Sequence, residues 1–257
     1  MLTERQKQIV QYASEVKFVK VEQLAEMFHV SSETIRRDLL ELESEAAIRR
    51  VRGGAVYNAM RAREVEFEKK MVNRQEEKLA ISRLAVDSIY DGEVIMLSNG
   101  SNNIMFAHEL AKKRNNLTII TNSYESSAIL NQNPTHKVIL TGGVIRKHNQ
   151  SIVGNLCIDC LDRFRADKAV VNIDGFSVEW GVTEFNMEEA AVIQKMLLMS
   201  HTRIILCDYA KFNEVAMNRV CHAEMIDIVF TDWNVPAKEI KALSDMGIKV
   251  YSADKVN

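Results

Sequence analysis

Apolar positions fall at helical spacing in the first part of the chain and gather into short runs between turns in the rest. Within residues 21–42, Val21, Leu24, Ala25 and Phe28 recur three and four apart, so one face of a helix is apolar. His29-Val30 interrupts that face. Ser31 is then suited to cap a second helix, its hydroxyl accepting a backbone N–H that has no partner inside the helix. In the second helix Ile35, Leu39 and Leu42 form one stripe, Glu33 and Arg37 lie roughly opposite, and Thr34 and Arg36 flank them. This is the layout of a helix-turn-helix whose second helix enters the major groove, where arginine can donate two hydrogen bonds to a guanine edge. An ordinary helical hairpin with a solvated face has the same pattern. Residues 46–57 favour the first reading: two β-prone runs surround Gly53-Gly54, a pair suited to a tight turn. They carry Arg49, Arg50 and Arg52 with no acidic residue among them, as a wing meeting phosphates or the minor groove would.

From residue 77 the pattern alternates between the two periods. Helices are predicted over 78–90, 103–113, 124–131, 188–200 and 236–246. Strands are predicted over 94–97, 118–121, 137–141, 168–173, 203–207, 226–231 and 249–251. Such alternation implies a mostly parallel sheet covered on both faces, with ligands bound beyond the carboxyl ends of its strands. The loops at those ends, 98–103, 121–123, 141–143, 174–175 and 208–211, are small and polar. Gly100 followed by Ser101 at the head of a helix suits a phosphate, because free N–H groups there favour negative charge. Residues 58–78 contain neither Pro nor Gly and read as a charged connector whose large anchors are Phe67 and Met71. The expected organisation is an α/β protein: a winged helix-turn-helix over 1–57, a linker over 58–76, and an α/β domain over 77–257.

Composition narrows the class. At 257 residues, 47% hydrophobic and 26% charged, the chain can bury a sizeable core and divide once. Its apolar runs are far shorter than the ~20 residues of a membrane span, and its charged start lacks a signal region, so cytoplasmic residence without a membrane is expected. Residues 1–63 hold 11 Lys/Arg against 9 Asp/Glu, whereas the remainder holds 22 against 26. A basic head on an acidic body agrees with nucleic-acid contact through the head. Cys157 and Cys160 form a C-x-x-C, but no second ligand pair at zinc-site spacing accompanies them, so reduced core cysteines are the default over a metal or redox sensor.

Arg5 and Ile9, the string Ser31-Ser32-Glu33-Thr34-Ile35-Arg36-Arg37-Asp38-Leu39, and Arg52-Gly53-Gly54-Ala55 resemble the DeoR/GlpR family of bacterial transcription regulators. The body resembles the effector domain of that family, itself similar to ribose-5-phosphate isomerase. Matching pieces include Glu77-Lys78, the loop 98–103, Gly142-Gly143, Asp174-Gly175, Glu184-Phe185 with Glu189, and Asp208 with Lys211. The resemblance covers nearly the whole chain. It implies a sequence-specific regulator, usually a repressor of carbohydrate genes, that binds double-stranded operator DNA and a phosphorylated sugar and forms a homo-oligomer. Ser32, Thr34, Arg36, Arg37, Arg49, Arg50 and Arg52 would meet DNA. Lys78, Ser98, Asn99, Gly100, Ser101, Asn102, Asn122, Ser123, Gly142, Gly143, Asp174, Glu184 and Lys211 would line the effector site.

The loop 98–103 departs from the family by lacking a carboxylate. The alternative is an isomerase-like enzyme with an accessory DNA head. Against it, Asp174-Gly175-Phe176 is followed by Ser177 rather than a second aspartate, and no lysine occurs over 178–193. No catalytic residue, metal site or cofactor is therefore assigned.

Overall fold

The computed structural model describes residues 3–44, 48–57, 73–147 and 149–255. The chain divides into two compact units, Met1–Val72 and Asn73–Asn257. Residues 58–72, which hold most of the expected linker with Phe67 and Met71, lie outside the described residues.

In the first unit helix α1 (Glu4–Val16) starts at a capping box, with Thr3 and Gln6 satisfying each other's backbone N–H. Strand β1 (Phe18–Lys20), which the hydrophobic pattern did not signal, leads into α2 (Val21–Met27). His29 takes the left-handed conformation at φ 51°, and α3 (Ser32–Ser44) follows. The expected cap forms: Ser31 Oγ accepts the Thr34 N–H at 3.2 Å. Ile9, Leu24, Ile35, Leu39 and Leu42 close a small core. The hairpin of β2 (Ile48–Val51) and β3 (Gly54–Tyr57) turns at Arg52-Gly53, one residue earlier than its glycine pair suggested. Gly53 has φ 81°, whereas Gly54 belongs to the strand because β3 also pairs with β1. A Cβ on Gly54 would lie 2.0 Å from the Val19 carbonyl oxygen, so this glycine is needed for close approach, not for turning.

The second unit contains, among the described residues, a seven-stranded parallel sheet in the order β15-β14-β12-β9-β4-β5-β6. Its strands are β4 (Val94–Leu97), β5 (Thr118–Thr121), β6 (Lys137–Leu140), β9 (Ala166–Asn172), β12 (Ser200–Leu206), β14 (Ile228–Thr231) and β15 (Lys249–Ser252). All the predicted strands appear, each shifted by at most three residues at an end. Helices α4 (Gln75–Val86), α5 (Ser101–Lys113), α6 (Tyr124–Leu130), α8 (Met187–Leu198) and α9 (Ala237–Asp245) correspond to the predicted ones. The short α7 (Asn155–Leu161) carries Cys157 and Cys160, and the additions are the pair β7 (Val144–Ile145) and β8 (Ile152–Val153) and an antiparallel sheet. That sheet joins β10 (Gly175–Ser177), β11 (Gly181–Glu184) and β13 (Asn218–Cys221). Chain order runs from β4 outward to β6, then returns to β9 on the other side of β4. The crevice between β4 and β9 is therefore the switch point where ligands of parallel sheets sit. Among the described residues no helix is long and apolar enough to cross a membrane.

Candidate functional site

The outer face of α3 carries the first candidate site. Burial of Ile35 and Leu39 turns Arg36 and Arg37 to solvent, with Ser32 and Thr34 half-exposed beside them. Arg36 meets Glu33 at 3.1 Å and Arg37 meets Glu41 at 3.5 Å. Both pairs are exposed, a setting worth about 0.3–0.5 kcal/mol, so phosphates or base edges can displace them. Asp38 has a different task. It is buried and accepts from Arg5 Nε at 2.6 Å, from the Arg5 terminal nitrogen at 3.1 Å and from Gln6 Nε2 at 3.3 Å. This staple fixes α3 on α1, and the Arg5 guanidinium is held further above its ordinary pKa by the hydrogen bond to Asp38.

The structure separates the three wing arginines. Arg49 and Arg52 are exposed, Arg52 at the turn itself. Arg50 instead holds Glu43 at the end of α3 through its backbone N–H at 2.8 Å and Nε at 2.7 Å, which pulls the Glu43 carboxyl below its usual pKa. The sequence showed no acidic residue within the hairpin. Packing brings one from the preceding helix, so Arg50 ties wing to recognition helix.

The second candidate site lies at the carboxyl edge of the large sheet. Gly100, at φ 145°, caps α5 without a side-chain bond to its amides, and Ser101 and Asn102 at the helix head are buried. Asn172 at the end of β9 is the hub. Its Oδ1 accepts from Asn102 Nδ2 at 3.2 Å, from the Asn102 amide at 3.4 Å and from Lys211 Nζ at 3.1 Å, while its backbone N–H donates to Ser98 Oγ at 2.9 Å. Lys211 also donates to the Ile173 carbonyl at 2.6 Å. On the other flank Asn122 Oδ1 accepts the Asn99 N–H at 2.9 Å, and its Nδ2 donates to the Ile152 carbonyl at 3.0 Å. Asn122 thus holds two loops together, and Ser123 Oγ caps α6 by accepting the Ser126 N–H at 3.2 Å. Gly143, at φ 136°, lies against the Val153 carbonyl, where a Cβ would approach to 2.5 Å; neighbouring Gly142 is exposed with open space around it.

Charge concentrates beside this edge. Lys78 on α4 is buried and donates to the Asn73 carbonyl. Its pKa falls to about 8, chiefly through burial; Asp208 opposes the shift, and Lys211 and Arg74 add to it. Asp174, just beyond β9, and Glu184 approach each other, and the Phe185 N–H donates to both, at 3.3 and 3.0 Å. Burial first, then the charge of Asp174, drives the Glu184 carboxyl well above its ordinary pKa. Glu189 forms an ion pair with Arg146 at 2.7 Å and accepts from Asn149 and Ser151, at 2.6 and 2.5 Å. Asn172 was not singled out in the sequence, although a polar residue ending the apolar run 169–171 was a signal. Arg74, 3.1 Å from Asp208, had none.

Cys157 points from α7 into the core and donates to Thr141 Oγ1 at 3.4 Å, while burial pushes its thiol up. Among the described residues no group of three or more His, Cys, Asp or Glu side chains is arranged to hold a metal ion.

A winged helix-turn-helix in one chain with a parallel-sheet α/β unit is the domain pairing of a DNA-binding transcriptional regulator. Residues 5–61 match the DeoR-like helix-turn-helix domain, and residues 73–233 match the DeoR C terminal sensor domain. The chain belongs to the DeoR family of transcriptional regulators, which are not enzymes. It is 30% identical over 246 residues to the HTH-type transcriptional repressor CsqR of Escherichia coli K12, covering 96% of this chain and 94% of that one. It is 29% identical to the Glycerol-3-phosphate regulon repressor of the same organism, covering 96% and 98%. The likeness to ribose 5-phosphate isomerase A from Methanocaldococcus jannaschii is much weaker. It has 18% identity and a TM-score of 0.39, over 52% of this chain and 53% of that one, and carries no argument about activity.

Proposed function

We propose that the protein is an operator-binding repressor of carbohydrate genes, released or engaged by a phosphorylated metabolite at the sheet edge. The observation that carries the effector half is the gathering of two buried lysines, Lys78 and Lys211, at the carboxyl edge of the sheet, where Lys211 and the head of α5 meet on Asn172. Cations and helix-start amides together favour a phosphate. Ser98, Asn99, Asn102, Asn122, Ser123, Gly142 and Gly143 shape its walls, and Asp174 with Glu184 takes the hydroxyl-bearing end of the ligand. In the head, Arg36 and Arg37 read or position on the major groove, Ser32 and Thr34 lie near phosphates, and Arg49 and Arg52 grip the backbone from the wing. Arg50 orients the wing through Glu43. The active species is a homo-oligomer, a reading supported by the family resemblance.

The test is a fluorescence-anisotropy titration on DNA from upstream of the gene and its neighbours, at two salt concentrations, with and without a sugar-phosphate mixture. Tight, salt-sensitive binding that shifts with the mixture is expected. Arg37→Ala should lose about 1–3 kcal/mol of discrimination, and Arg52→Ala should weaken all sequences alike while lowering the salt slope by about one. Specific binding that ignores every phosphorylated sugar overturns the effector half, and absence of specific binding at either salt overturns the operator half.

A further inference from the structure

Asn73 and Arg74 are the first described residues after the segment that leads from the helix-turn-helix unit. Both are tied to the sheet edge. Lys78 donates to the Asn73 carbonyl, and Arg74 Nε lies 3.1 Å from Asp208 Oδ1, with its guanidinium carbon 5.7 Å from the centre of the Tyr209 ring. Arg74 adopts φ 56° and ψ 42°, an uncommon conformation for a residue other than glycine, immediately before the first turn of α4. Asp208 lies two residues beyond β12, at the same carboxyl edge of the sheet as Asn172, and is completely buried. Neither of its carboxylate oxygens accepts a hydrogen bond, and Arg74 Nε donates none, despite their closeness. The pair is therefore held by charge and not by the aligned bonds that make arginine–carboxylate contacts strong.

We infer that the Arg74–Asp208 pair is a latch that reports occupancy of the sheet-edge site to the segment joining the two units. A phosphate settling beside Lys78 and Lys211 draws Arg74 off Asp208 and loosens the first turn of α4. The inference rests on the reading of that edge as an anion site. The physical cause is competition. A phosphate offers Arg74 more negative charge and better-aligned acceptors than Asp208 does, and it recruits Lys78, the residue that holds the Asn73 carbonyl. Both ties at the root of the joining segment thus depend on cations that the ligand also needs. A ligand affects DNA binding only by favouring one of two arrangements, and this root has one arrangement with the ties closed and one with them open.

Hydrogen exchange on the full chain, with and without inorganic phosphate, tests the latch. The Lys78 amide, bonded to the Arg74 carbonyl at 3.1 Å, reports on the first turn of α4, and the Ile104 amide, bonded to the Gly100 carbonyl at 2.9 Å, reports on the site. Phosphate is expected to slow exchange over 100–106 and to speed it severalfold over 74–80. In Arg74→Ala, 74–80 should exchange rapidly without phosphate and gain nothing from it, while 100–106 still responds. Slowing over 100–106 with no acceleration over 74–80 in the unaltered chain overturns the latch and leaves the anion site standing. No response over 100–106 overturns the anion site, and the latch with it. The unaltered chain alone decides between these outcomes if the variant does not fold.

Discussion

Gly100→Ala is the sharpest single test of the sheet-edge site. A Cβ at this position would lie 2.3 Å from Asn172 Cγ and 2.4 Å from its Cβ and Nδ2. The backbone, at φ 145° and ψ 160°, occupies a region essentially reserved for glycine, where another residue costs about 1–3 kcal/mol. Asn172 has no easy retreat, because Asn102 and Lys211 hold its amide oxygen through contacts of 3.2, 3.4 and 3.1 Å. Pushing it aside leaves buried polar groups without partners, at about 1 kcal/mol or more for each. Together these terms give a destabilisation of about 4 kcal/mol, large against the ~5–15 kcal/mol that holds a typical domain folded. Both tryptophans, Trp180 and Trp233, lie in the second unit, so urea unfolding followed by their fluorescence reads that unit selectively. The midpoint should fall clearly, phosphate binding should be lost, and operator binding through the first unit should persist. An unchanged midpoint together with unaltered phosphate affinity would refute the account of Gly100 and Asn172.

Three further outcomes are expected. Asp38→Ala should destabilise the first unit by about 1–2 kcal/mol, discounted from the usual value for a buried pair because the Arg5 side chain is 34% exposed. Operator affinity should fall with it although Asp38 faces inward, and an unaltered thermal midpoint would remove the staple. Phosphate binding should weaken as pH rises through about 8, where Lys78 loses its charge, by up to ~tenfold per unit; titration calorimetry showing constant affinity from pH 7 to 9.5 excludes Lys78. Glu184→Gln should stabilise the second unit at pH 8 and not at pH 4. The raised pKa means the folded state keeps a proton that the unfolded state has released, so the native glutamate's contribution is full below pH 4.5 and lost as pH rises through the folded value. Equal effects at both pH values would contradict the buried carboxyl pair.

How much the chain disclosed without its structure depended on the range of the interaction concerned. Helix and strand periods are local, so the recognition helix, its Ser31 cap and the alternating body were legible from Val21, Ile35, Leu39 and the short apolar runs. The loops of the sheet edge were legible too, since parallel strands place their ligands at one end. Residues that meet only after folding were not. Nothing near Asp38 in sequence announces Arg5, 33 positions away, and nothing in the basic hairpin announces Glu43 as the partner of Arg50. The register of β3 against β1 gave Gly54 a packing role and moved the turn to Arg52-Gly53. Asn172 became a hub because strand order sets β9 beside β4, and Arg74 met Asp208 because α4 delivers it to the end of β12. Local patterning thus determined the principal helices, the strands of the parallel sheet and the fold class. Tertiary structure alone decided which polar side chains share a buried environment, because partner choice there depends on distances that spacing along the chain does not encode.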